Sequence, residues 1–250
     1  SLYSQGRLGL RFLQAALVLA AALVVASAQT LTSGPEVLSR YLQAKEKTGG
    51  QPRLVGSTVE IQASLPGLNG ETRTGYFIGR RTIAEDGAIE FEMGAIEGDD
   101  TVKRYVIARY LNAEMEASKS EKVSLGITPE NYKFEFRGLQ SQFNRQYYGF
   151  GLPPRKKVAG LFEGELWLDP VTFLPRRAYG LLAKTPSVFL SDVYFVRDYW
   201  LLDGKQVLRR MISDIDVRLY GTAHIEIWHS QHTFEGDPPP EVPTAKADSN

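Results

Sequence analysis

Three histidines fall within the stretch HIEIWHSQH, residues 224–232, and two carboxylates, Asp214 and Asp216, stand two positions apart just before it. Histidine is the commonest metal ligand among side chains, and paired carboxylates can do general acid–base work. The surrounding alternation of apolar and polar residues marks a strand, and strand geometry weighs against both chemistries. At roughly 3.4 Å per residue with alternating faces, His224 and His232 share a face about 27 Å apart and His229 points the other way. All three therefore read as ordinary surface histidines, and no metal is expected. Asp214 and Asp216 share one face, with Asp192 or Glu226 as possible neighbours, but Arg209, Arg210 and Arg218 accompany them. That pattern is a solvated, salt-bridged face. The chain contains no G-x-S-x-G, P-loop, G-x-G-x-x-G or H-E-x-x-H signature, so nothing anchors an enzyme reading and no cofactor is expected.

Two further groups could contact a ligand or partner. The run PPRKK places Arg155, Lys156 and Lys157 together, suited to lipid headgroups or an acidic partner. The adjacent NRQYYGFG adds Tyr147 and Tyr148, aromatic residues of the kind that sit at a membrane interface.

Composition narrows the class. Lys plus Arg equal Asp plus Glu at 29 each. Nucleic-acid binding, which needs a basic stripe, is not supported by that balance. The absence of cysteine excludes disulfides, thiolate catalysis, Fe–S clusters and Cys-ligated zinc. A hydrophobic content of 43% is enough to fill a core.

The N-terminal stretch RLGLRFLQAALVLAAALVVASAQT has two arginines, an apolar run and an Ala26-Ser27-Ala28 motif. This is the layout of an export signal, and Phe12–Ala28 reaches the lower edge of membrane-spanning length. Residues 1–28 are expected either to be cleaved or to remain as a transmembrane anchor, with retention favoured. Either way the body lies outside the cytoplasm, and its expected location is the periplasmic side of a bacterial inner membrane. The body is expected over 29–235 and a Pro-rich disordered tail over 236–250.

Within the body, Ser33-Gly34-Pro35-Glu36 has capping-box form, and Val37, Leu38, Tyr41 and Leu42 follow helical spacing. A helix is expected over 34–47, stopped by Gly49-Gly50. The period then changes to two. VEIQASL, YKFEFRG and IDVRLYG alternate, and Asp203-Gly204 marks a two-residue hairpin that sets Asp198 opposite Arg209 and Trp200 opposite Val207. In FEGELWL, Phe162, Gly164, Leu166 and Leu168 share a face, and Asp169-Pro170 begins the turn into the next strand. Residues 101–118 fit helix and strand alike. Nine to eleven strands, mostly antiparallel, make the fold mainly β: a large curved open sheet with one N-terminal amphipathic helix and a second lid helix if 101–118 is helical.

The segments YLQAKEKTGG, NYKFEFRG and FEGELWLDPVTFLPRRAYG resemble the LolA/LolB-like superfamily, which includes periplasmic lipoprotein carriers, RseB-type lipid sensors and outer-membrane lipoprotein-sorting-like proteins. The resemblance covers about residues 36–234. It implies an unclosed half-barrel whose apolar hollow takes an acyl chain, and a non-enzymatic role. In that scheme Phe134, Phe136, Phe162, Leu166 and Leu168 line the ligand face. The expected partners are the membrane and a lipid or lipoprotein acyl chain, or alternatively subunits of a membrane complex that the domain docks and stabilises. A helix of about 20 Å cannot cover so wide a sheet. A second apolar body is expected to complete the core: an acyl chain first, a partner segment second, and 101–118 folded as a lid third.

Overall fold

The computed structural model describes residues 33–67, 70–119, 125–184, 190–217, 220–238 and 243. The expected leader lies outside the described residues, as does most of the expected tail. No helix among the described residues is long and apolar enough to cross a membrane. The Ser33 side chain accepts from the Glu36 amide at 3.4 Å, Pro35 occupies the first turn, and helix α1 (Gly34–Gly49) follows. Its Val37 and Tyr41 are buried, the positions that the four-residue spacing places on one face.

After α1 the chain forms a three-stranded meander, β1 (Leu54–Pro66), β2 (Thr72–Ile83) and β3 (Ile89–Gly98). A helical segment then runs through α2 (Asp100–Val102), a π-helical turn (Lys103–Ile107) and α3 (Ala108–Lys119). Residues 101–118 are thus helical. The Asp99 carboxylate caps this segment, accepting from the amides of Thr101 and Val102 at 2.8 and 3.1 Å. A second meander completes the fold: β4 (Glu135–Gln142), β5 (Arg145–Leu152), β6 (Phe162–Leu168), β7 (Pro175–Leu182), β8 (Leu190–Leu202), β9 (Lys205–Val217) and β10 (Gly221–Phe234).

The ten strands make one antiparallel sheet in the order β3-β2-β1-β10-β9-β8-β7-β6-β5-β4. The two meanders are joined by pairing of β1 with β10, and the sheet is open, with β3 and β4 at its edges. The tight turns follow the residues that permit them. Asp203 and Gly204 both have positive φ (50° and 79°), as a two-residue hairpin matching strand twist requires. In the β6–β7 turn, Asp169 accepts from the amides of Val171 and Thr172 at 3.0 and 2.9 Å and pairs with Arg176 at 3.0 Å. Burial works against its charge, yet these donors hold its pKa below the usual carboxylate value.

One expected register needs correction. Trp200 is opposite Val207, but Asp198 is opposite Arg210 rather than Arg209, because a bulge falls between Asp198 and Tyr199. The extra residue, Arg209, stacks its guanidinium on the Trp200 ring at 3.6 Å. Asp198 instead pairs with Arg177 of β7 at 2.6 Å.

Candidate functional site

The registers place one residue from each strand in a single line across the face that the helices cover. From edge to edge the line reads Ile96, Phe77, Ile61, Ile227, Met211, Arg197, Ala178, Leu166, Phe150 and Phe136. Nine of these side chains are apolar. Arg197, on β8, is the exception and sits near the middle.

On the β4 side of this line lies an aromatic core. Val37 and Tyr41 of α1 meet Tyr132, Phe150, Leu152, Leu161, Phe162, Leu166, Leu168, Ala178 and Phe195. Tyr41 is buried with its hydroxyl donating to the Ile127 carbonyl at 2.7 Å, and burial pushes its phenol well up. The Tyr132 hydroxyl accepts from the Phe162 amide at 3.2 Å, so each buried phenol has a partner. All five residues expected to line a ligand face are here. Phe162, Leu166 and Leu168 are buried, and Phe134 and Phe136 pack at the margin. The ring of Phe134 meets Tyr41 at 6.1 Å and Phe150 at 5.6 Å.

On the β3 side the core is aliphatic apart from Phe77: Val59, Ile61, Ala63, Leu65, Ala223, Ile225 and Ile227 against Val102, Val106 and Ile107 of the second helical segment. Gly75 permits the contact, since a Cβ there would stand 2.9 Å from Val102 Cγ1. The second apolar body is therefore a segment of the chain itself, the last of the three candidates in the expected order.

This second cover is also held by polar contacts. Arg81 Nε pairs with Glu114 Oε1 at 2.9 Å, and the Tyr110 hydroxyl donates to Glu114 Oε2 at 2.9 Å. Burial, then the Glu114 charge, raises the Tyr110 pKa well above its ordinary value. The Ile89 amide donates to Ser118 Oγ at 2.9 Å. Beside this network His229 is 8% exposed, which corrects its reading as a surface residue. Its Nδ1 faces Ser57 Oγ at 3.3 Å, and its Nε2 is buried without a partner among the described residues. Burial, followed by the charges of Arg81 and His232, pushes its pKa down to about 3. His224 pairs with Asp214 at 2.7 Å, and His232, whose charge His229 feels, places its Nε2 3.0 Å from the Leu208 carbonyl.

The opposite face is polar and internally paired. Arg210 meets Glu226 at 2.7 Å, Asp216 accepts from Thr222 at 2.6 Å, and the Glu165 carboxylate accepts from Tyr179 at 2.5 Å and Trp167 at 3.1 Å. A depression of about 460 Å³ opens there beside Gln62, Tyr76, Glu97, His224 and Glu226. Burial, then the Glu60 hydrogen bond, pushes the Tyr76 phenol up to about 12.

The expected contact residues divide between these surroundings. Tyr147 stacks on Trp167 at 4.1 Å on the polar face, whereas Tyr148 stacks on Phe173 at 5.8 Å beside the aromatic core. Alternation along β5 separates them, so they do not form one group. Arg155 braces its loop by donating to the carbonyls of Pro129 and Tyr132 at 2.7 and 3.2 Å, and Lys156 and Lys157 are exposed. Sequence reading missed Arg197. The signal was present in Phe195-x-Arg197-x-Tyr199, a cation on the apolar side of an alternating strand.

No family model matches the sequence, and no curated protein matches it. Solved structures to which the chain is similar include a DUF1329 family protein from Desulfovibrio piger, at 14% identity and a TM-score of 0.43 over 85% of this chain and 96% of that one. A LolA superfamily protein from Nitrosomonas europaea follows at 12% identity and 0.41, over 80% and 94%. A putative outer membrane lipoprotein-sorting protein domain from Vibrio parahaemolyticus follows at 14% and 0.40, over 83% and 95%. The group named by the sequence resemblance is thus among the structural neighbours. At these values nothing about activity or ligand passes from those proteins to this chain.

Proposed function

We propose that the chain is an exported, non-enzymatic binding protein of the bacterial periplasm that holds an apolar chain against the covered face of its sheet. The observation that carries this reading is the line across all ten strands, apolar at nine of them, beneath two separate helical covers. Phe134, Phe136, Phe162, Leu166 and Leu168 form the aromatic end of the ligand face, and α1 is the cover that admits the ligand. Arg155, Lys156 and Lys157 lie in the loop after β5 as headgroup contacts, with Tyr148 on the ligand side and Tyr147 behind the sheet. The export layout of residues 1–28 supports the location and the membrane association.

A second reading, docking onto subunits of a membrane complex, draws on the sheet edge at β4. Leu139 and the turn residue Phe143 are 50% and 76% exposed there, and an unpaired edge can take a strand from another chain.

Native protein purified without detergent exchange, followed by lipid extraction with mass spectrometry and identification of co-purifying chains, tests both. Stoichiometric lipid, lost in a Phe134→Asp variant that retains its circular dichroism, is the expected result. A lipid-free complex with a second polypeptide transfers support to the docking reading. A lipid-free, partner-free monomer removes both.

A further inference from the structure

Arg197 is out of place by the logic of its surroundings. In the line across the sheet its neighbours are Met211 and Ala178, and its guanidinium lies 4.7 Å from the centre of the Phe195 ring. Phe195 is buried in the aromatic core, while Met211 packs against the aliphatic one. The position is therefore the meeting point of the two cores. Its positive charge is felt by Tyr110 of α3 and by Tyr132 of the aromatic core, so it stands near the phenols of both sides.

A guanidinium offers five N–H donors and does not lose its charge. Among the described residues, Arg197 has no carboxylate partner and no hydrogen-bond acceptor; its recorded side-chain contact is the Phe195 ring. Arg81, another arginine beside an apolar core, differs in being answered by Glu114. A cation on an apolar surface without an acceptor is unfavourable, and a Met or Leu would fill the position with less penalty.

We infer that Arg197 is the anchor for the anionic group of an amphiphile, a carboxylate or phosphate whose apolar chain lies along the covered face. The planar fork of the guanidinium matches two oxygens of either group. Arg197 is half-buried, so its guanidinium can meet an incoming anion while the apolar residues beside it lower the local dielectric and strengthen the pair. Ala178, Leu166 and Phe150 are buried in the closed structure, so the chain would run from Arg197 over them and Phe136 towards β4 when α1, the cover that admits the ligand, is lifted. This inference rests on the lipid-binding reading and specifies its ligand as an anionic single- or double-chain lipid.

The experiment compares oleate, oleyl phosphate and oleyl alcohol, each below its aggregation concentration, titrated into delipidated full-length protein and followed by calorimetry or native mass spectrometry. The expected result is a preference of about tenfold or more for an anionic probe over the alcohol, as a charge-assisted bidentate pair provides. Whichever of oleate and oleyl phosphate binds more tightly identifies the source of the anion. Arg197→Met is expected to retain alcohol binding and its unfolding midpoint while losing the preference, and Arg197→Lys to keep part of it. Equal binding of all three probes by the unaltered protein, or a preference that survives in Arg197→Met, overturns the anchor and leaves lipid binding standing. No binding of any probe overturns the lipid-binding reading, and the anchor with it.

Discussion

The two halves of the covered face solve the same problem with different materials. Under α1 the core is built of rings, and the helix enters it through Tyr41. Under the second helical segment the core is built mostly of Val, Ile, Leu and Ala with the single ring of Phe77, and the contact ends in polar bonds from Arg81, Glu114, Tyr110 and Ser118. α3 itself has no buried residue. The first cover is held by apolar packing, which depends little on solution conditions; the second adds charge pairs and a buried histidine, which do not share that indifference.

The largest effect is expected from truncating each core. Leu166→Ala on one side and Ile61→Ala on the other should each cost about 2–5 kcal/mol, read as a drop in the urea midpoint. Because the sheet is continuous, each variant should show one transition. Two resolved transitions would establish the halves as separately folding units and sharpen the contrast.

Breaking the partly buried pair comes next. Arg81 and Glu114 side chains are 13% and 21% exposed, and Glu114→Gln should cost about 3 kcal/mol, the low end for a broken buried pair. Hydrogen exchange should lose protection in α3, β1 and β2 but hold in α1 and β5. Uniform loss across both halves would contradict the division.

His229 supplies a pH dependence on the same side. Its unfolded form takes a proton near pH 6.5, its folded form only near 3. Between those values the unfolded state binds more protons, so stability falls as pH drops below 6.5 and levels off below about 3. The loss should be about 2 kcal/mol by pH 5, at about 1.4 kcal/mol per pH unit. His229→Gln should flatten the curve relative to the unaltered protein. A parallel pair of curves would mean that the histidine is not shielded.

The smallest effect belongs to the first cover. Ser33→Ala should cost about 0.5 kcal/mol, the low end for an N-cap, because the Ser33–Glu36 contact is long at 3.4 Å. Thermal unfolding of the two proteins measures it.

The contrast also explains what could be read from sequence. α1 was legible because cap, first-turn Pro and apolar stripe agree at every level. The hairpins at Asp169-Pro170 and Asp203-Gly204 were legible from turn chemistry. The second helical segment was not, because its buried stripe changes character along its length, from Val102, Val106 and Ile107 to Glu114 and Ser118. Alternation places the apolar side of each strand but cannot register a bulge, hence the misplaced partner of Asp198. The line containing Arg197 needs nine strand pairings at once, and no local pattern carries that information. The burial of His229 was missed for a related reason: it depends on Val59 of β1, far away in sequence, lying directly opposite.

That last pairing sets an order of events. β1 finds its second neighbour only in the last strand, and the Ser57–His229 contact spans 172 residues. During synthesis, β1 to β3 can form a meander early, but the two halves of the sheet cannot be joined until β10 emerges. Closing so long a loop adds entropy cost before any contact rewards it, and chains dominated by such contacts fold slowly.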